Sequence, residues 1–224
     1  MFRNRLDYLV YCVNGTAVWG FMFERRTVQS SGAIVEAARK VFLREGFAAS
    51  IDAIIREGGI ARQTLYNHFK DKKALFKAVI EAVAGETMLE LRALHFTDDV
   101  GLSEALRRFG EAYMHGMLLP ENLAMTRLIS SAVQEYPEAG KIAYQAGPER
   151  SIAALASYLE GQKKKRKIRC ASTELIAESF FGALVGPARF RYLLGINVES
   201  SAAQRRSYVR EIVNLYVQGL EQRA

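Results

Sequence analysis

Apolar residues recur along most of this chain at helical spacing. Ile34, Ala38, Val41 and Phe42 fall at i, i+4, i+7 and i+8, one stripe of a first helix that Gly46 ends. A second helix starts near Ser50, a good N-cap, and runs through Ile51, Ile54 and Ile55. It stops at Gly58-Gly59, where left-handed backbone angles cost a glycine little. A third begins at Ala61 with Leu65 and Phe69 four apart on its core side, and Asp71 is placed to cap a fourth. Further along, periodicity and prolines predict helices over 103–119 and 120–136. A longer segment to 160 is bracketed or kinked by Pro137 and Pro148, and helices over 173–194 and 201–222 complete the set. No strand-period alternation interrupts residues 30–224, so the fold class is all-α.

The polar positions of the third helix carry the chemistry. With Leu65 and Phe69 turned inward, Arg62, Gln63, Tyr66 and Asn67 lie on or near the outward face. Arginine matches guanine O6/N7 and Asn or Gln matches adenine N6/N7, each bidentate pair discriminating by about 1–3 kcal/mol. Thr64, Tyr66, His68 and Lys72 are the right types for phosphate oxygens, with Ser50 at the start of the preceding helix. The first turn of the fourth helix, behind the Asp71 cap, is a further place for a phosphate. A tight glycine turn between two short helices, with such a face on the second, predicts a helix-turn-helix that reads duplex DNA.

At this point the residues resemble the TetR family of transcriptional regulators over about 31–83. Phe42, Gly46, Phe47, Gly59, Leu65-Tyr66, His68-Phe69, Lys72 and Ala74-Leu75-Phe76 fall in that family's order and spacing. The chain departs from the pattern at Ala61, where a capping Ser or Thr is usual, and at Ile55, where a small residue is usual. The resemblance implies an N-terminal extension (1–29), a helix-turn-helix DNA-binding domain (30–80) and a helical effector-binding and dimerisation domain (81–224). Leu119-Pro120-Glu121, Tyr136-Pro137-Glu138, the stretch 146–150 and the stretch 180–189 look like the C-terminal domain of the AcrR/AefR-like branch.

The same resemblance implies a ligand-responsive repressor that binds a pseudo-palindromic operator as a homodimer. The expected effector is small and apolar or amphipathic. Tyr113, Met114, Met117, Leu118, Met125, Leu128, Ile129, Phe180 and Phe181 are the expected pocket residues, with Arg127 and Gln134 as polar candidates. Methionines and aromatics suit a shape-tolerant apolar cavity, although the same residues at helical spacing equally suit an ordinary core. Small residues at four-residue spacing around Gly182 and Gly186, with Val185 and Arg189, let another helix approach closely. Together with Ile212, Leu215, Tyr216 and Gly219 of the last helix they form the expected dimer interface.

Composition changes this picture little. The net charge is +7, but residues 161–170 hold six cations and no acid, so the charge belongs mainly to one loop. Residues 30–80 carry nine basic and five acidic side chains. Bulk basicity is therefore poor evidence for nucleic-acid binding, and the motif carries the argument. Cys12 and Cys170 are far apart and suggest neither a disulfide framework nor a metal site, so a reducing cytoplasm is the default.

The first 29 residues admit three readings. Apolar β-prone runs flank Asn14-Gly15 as in a hairpin; the same runs could form a secretory or anchoring segment, weakened by Asp7; or translation starts downstream, for instance at Met22, leaving a short arm 23–30. Catalysis finds no support. His68, His95 and His115 lack ligand-spaced partners, no glycine-rich loop follows a strand, and no nucleophile motif occurs, so neither enzyme activity nor a cofactor or metal is expected. The rival from another class is a membrane-associated or architectural helical interaction protein.

Overall fold

A computed structural model describes residues 21–94, 100–197 and 200–221, and eleven α-helices account for most of them. They are α1 (Phe21–Glu45), α2 (Ile51–Gly58), α3 (Arg62–His68), α4 (Lys72–Thr87), α5 (Leu89–Arg92), α6 (Leu102–Met117), α7 (Pro120–Ala132), α8 (Glu138–Ala146), α9 (Pro148–Lys164), α10 (Thr173–Leu193) and α11 (Ala202–Leu220). An isolated antiparallel bridge joins Ile168 to Glu221, tying the basic loop to the end of α11. Among the described residues no helix is long and apolar enough to cross a membrane.

Two differences from the sequence expectation concern boundaries. α1 starts at Phe21, so residues 23–30 continue the helix instead of forming an arm before it. The hairpin, leader and start-site readings otherwise fall outside the described residues. The long segment to 160 is two helices: the backbone breaks at Gly147, and Pro148, whose missing N–H costs nothing in a first turn, opens α9.

The side chains sort into two hydrophobic cores. The first gathers Ile34, Ala38, Val41 and Phe42 of α1 with Ile54, Leu65, Leu75, Phe76 and Val79. Phe42, Phe47 and Phe76 meet there, with Phe76 centroids 5.0 Å from Phe42 and 4.9 Å from Phe47. This core also takes Met125, Leu128 and Ala132 of α7, with Tyr136 and Ala139, so packing joins residues on both sides of position 80. The second core gathers α6, α9, α10 and α11 around Phe109, Tyr113, Leu155, Leu159, Phe180, Phe181, Leu184, Val209 and Val213.

α4 runs along the seam between them. Val79, Ile80 and Val83 belong to the first core, and Met88, just past its end, belongs to the second. Arg39 of α1 pairs with Glu86 of α4 at 2.9 Å and with Glu121 of α7, holding three helices at this seam. On the other side Gly116 of α6 lies so close to Thr87 that a Cβ there would stand 2.8 Å from the Thr87 carbonyl oxygen. Only a residue without a side chain allows that approach.

Proline inside α10 has a specific compensation. Pro187 has no N–H for the carbonyl of Ala183 one turn earlier, and the Tyr208 hydroxyl of α11 donates to that carbonyl at 2.7 Å. The two last helices are thereby joined where α10 loses an internal hydrogen bond.

Candidate nucleic-acid interface

The α2–α3 corner is set by caps and one buried side chain. Ser50 Oγ accepts from the Ala53 amide at 3.1 Å and starts α2. Gly59 ends it at φ +58°, the left-handed conformation glycine adopts without strain. α3 opens at Ala61 with no side-chain cap. It is held instead by Leu65, fully buried in the first core. Asp71 accepts from the Ala74 amide at 2.7 Å and starts α4 as its sequence position suggests.

This anchoring leaves Arg62, Gln63, Tyr66 and Asn67 exposed on one face of α3, with Tyr66 43% accessible. They do not stand free. Arg62 pairs with Asp52 of α2, and Gln63 Nε2 donates to Asn67 Oδ1 at 2.9 Å. Both contacts hold planar groups in place across the reading face. Thr64 and His68 are half-buried beside it. Lys72, expected as a simple phosphate contact, folds back: its ammonium lies 4.6 Å from the Phe47 ring centre and donates to the Ala49 carbonyl at 3.5 Å. Lys72 thereby reaches the residue that precedes Ser50, the N-cap of α2. Asp52 is a member of this surface that residue typing along α3 could not supply.

A cavity of about 200 Å³, partly open to solvent, lies at the seam. Ile80, Val83 and Thr87 of α4, Met117 of α6, Met125 and Thr126 of α7, Tyr144 of α8 and Arg189 of α10 line it. Met117 and Met125 were expected there. Tyr113 sits behind the wall, its ring 4.2 Å from Phe181, and burial pushes its phenol up to about 12 against the opposing pull of the Arg189 charge. Met114, Phe180 and Phe181 are buried in the second core and Leu128 in the first, while Leu118 is half-buried.

Arg127 and Arg189 both leave the places expected of them. Arg127 is on the surface, donating to the Tyr192 carbonyl at 2.6 Å with its guanidinium 4.5 Å from the Tyr192 ring centre. Arg189 instead points inward: it donates to Thr126 Oγ1 and lies 3.7 Å from Met117 Sδ. Burial lowers its pKa, with Tyr113 acting the other way. The signal was available in the chain, since Phe181, Val185 and Arg189 lie at i, i+4 and i+8 on the buried face of α10.

The remaining α10 and α11 residues divide the same way. Val185 is core, and Ile212 and Tyr216 pack partly buried against it, Tyr216 with its ring 5.2 Å from that of Phe180. Gly182, Gly186, Leu215 and Gly219 face outward, Leu215 being 65% exposed. Phe190 and Leu175, each 63% exposed, and Tyr208 are further exposed large side chains of these two helices and were not singled out by periodicity. A wider cleft of about 410 Å³ between α6 and α11 is walled by Arg107, Arg108, Glu111, His115 and Arg205. Several of its side chains are already paired, Arg107 with Glu104 and Glu111 and the His115 ring with Glu90.

Known proteins match this arrangement. Residues 34–79 match the family described as bacterial regulatory proteins, tetR family. Residues 104–219, over half of the chain, match the AefR-like transcriptional repressor, C-terminal domain. The chain belongs to the TetR family of transcriptional regulators. That family consists of DNA-binding regulators, which bind operators as dimers and are not normally enzymatic.

Its relatives divide into local and whole-fold matches. The HTH-type transcriptional regulator UidR of Escherichia coli (strain K12) is 37% identical over 70 residues, 29% of this chain and 36% of that protein. The chain therefore spans little more than a third of the length of that relative. The flavonoid-responsive regulator FrrA is 28% identical, with a TM-score of 0.75 over 88% of this chain and all of that one. A TetR-family regulator from Mesorhizobium loti MAFF303099, at 22% identity and TM-score 0.79, covers 88% of this chain and 99% of its own and shares the fold.

Proposed function

We propose that this chain is a ligand-responsive repressor that binds a pseudo-palindromic operator as a homodimer. The observation that supports the reading is that one helix borders both the α2–α3 corner and the cavity. α4 begins at the recognition corner, where Lys72 packs on Phe47, and its far end, Ile80, Val83 and Thr87, walls the cavity. A ligand that displaces that wall also moves the helix start behind α3. Such a ligand must bind the DNA-incompetent form more tightly, with a coupling typically of about 1–3 kcal/mol.

Arg62 reads a guanine and Gln63 and Asn67 read adenines, while Ser50, Thr64, Tyr66, His68 and Lys72 serve the backbone. The outward faces of α10 and α11, with Gly182, Gly186, Leu215 and Gly219, pair two copies so that two α3 helices meet half-sites one DNA turn apart, roughly 34–36 Å. FrrA is described as flavonoid-responsive, which favours an aromatic effector here as well. The chain acts in the cytoplasm, without catalysis and without a membrane.

Selection of bound duplexes from a random pool tests this directly. A palindromic pair of half-sites is expected, and Arg62→Ala should relax preference at one base pair per half-site by about 1–3 kcal/mol. Selection without symmetry, or Arg62→Ala with unchanged affinity and preference, would sink the reading.

A further inference from the structure

The seam cavity is apolar on the side of α4 and α6, where Ile80, Val83 and Met117 face it, and cationic on the side of α10. There Arg189 is part-buried, with a neutral hydroxyl, Thr126 Oγ1, and a thioether, Met117 Sδ, as its partners. Among the described residues no carboxylate pairs with it, and neither Asp nor Glu lines the cavity. Tyr113 does not supply the missing charge, because burial keeps its phenol protonated at physiological pH.

A guanidinium stays charged in a protein and presents five N–H donors in a planar fork that fits a carboxylate. Withdrawing it from water is costly unless an anion meets it, and a long apolar side chain would fill the same place without that cost. The anion is therefore to be sought in what the cavity binds. At about 200 Å³ the space is below the roughly 300–1,000 Å³ of drug-sized sites, which suits one ring or two.

We propose that the cavity takes a small aromatic carboxylate, its carboxylate on the Arg189 fork and its ring against Met117, Met125 and Ile80. The inference rests on reading the cavity as the effector site and names the effector's charge. It also identifies the helices the ligand would join: α10 by an ion pair and α4 by apolar contact, one from each core.

Isothermal titration of the full chain, without DNA, tests it with 2-naphthoate and cinnamate, each beside its primary amide. Each acid is expected to bind more tightly than its amide by roughly tenfold to a hundredfold, the range of a charge-assisted hydrogen bond. Arg189→Gln should erase the preference, and Arg189→Lys, which keeps the charge and loses the fork, should retain part of it. Should Arg189→Gln fail to fold by circular dichroism, the weakened preference of Arg189→Lys carries the test. Equal binding of acid and amide, a full acid preference in either variant, or no binding of either acid at millimolar concentration would overturn the proposal. Because no duplex is present, such a failure leaves the operator reading intact. A carboxylate that binds as expected yet does not release operator in a gel shift overturns the effector reading instead.

Discussion

At the α2–α3 corner Arg62 lies in solvent with the Asp52 carboxylate beside it, whereas at the seam cavity Arg189 is drawn among methionines and a threonine, with no acid among the described residues that line the cavity. The exposed pair holds the guanidinium in a known place at little energetic consequence, since surface ion pairs contribute about 0–1 kcal/mol. The inward arginine is a larger commitment by the fold, because an unmatched charge in low dielectric is expensive. A reading surface for a polyanion can keep its cations solvated until the duplex arrives. On the proposed reading, the cavity withdraws Arg189 in advance for the one small molecule it takes.

The comparison can be broken most forcefully at Leu65. It is the fully buried anchor of α3, and Leu65→Ala should cost about 2–5 kcal/mol, read from the shift in the urea midpoint, with duplex binding lost. A variant of wild-type stability would show that the corner does not hang on that side chain.

A smaller effect is expected at the seam. In Gly116→Ala the new Cβ meets the Thr87 carbonyl, a backbone atom that cannot rotate away. Overpacking costs about 1–3 kcal/mol, against roughly 1 kcal/mol that alanine gains over glycine in a helix, so a net loss of up to about 2 kcal/mol is expected. Thermal melts that show equal or greater stability would mean that α4 and α6 separate freely there.

Least costly to the fold is Asp52→Asn, which leaves both side chains on the surface and should change stability by less than about 1 kcal/mol. It should nevertheless tighten duplex binding at fixed ionic strength, because the carboxylate that competes for Arg62 is gone. Unchanged affinity by fluorescence anisotropy would mean that Arg62 never exchanges Asp52 for DNA.

Legibility follows the same division. The corner could be read from neighbouring residues: Ser50, Gly59, Leu65 and Asp71 all act within a few positions of where they stand, as cap, stop, anchor and cap. The all-α class was legible for the same reason, because helical periodicity is local. Asp52 escaped notice although it is only ten residues from Arg62, since the α2–α3 crossing brings them together. At the cavity, Met117 and Met125 were expected, but Thr87, Thr126 and Tyr144 have no mark that sets them apart from other polar residues on other helices.

The sequence by itself determined that this is a helical protein with a helix-turn-helix corner, where α2 and α4 are capped, and which side of α3 is offered outward. Those properties rest on caps, turns and apolar spacing, which operate over one or two helical turns. Only the tertiary structure decided that α7 and α8 share a core with the DNA-binding helices, that α4 borders both sites, and that Arg189, not Arg127, turns into the cavity. Periodicity identifies the apolar side of a helix, but what lies against that side depends on helices that close packing brings together from far along the chain.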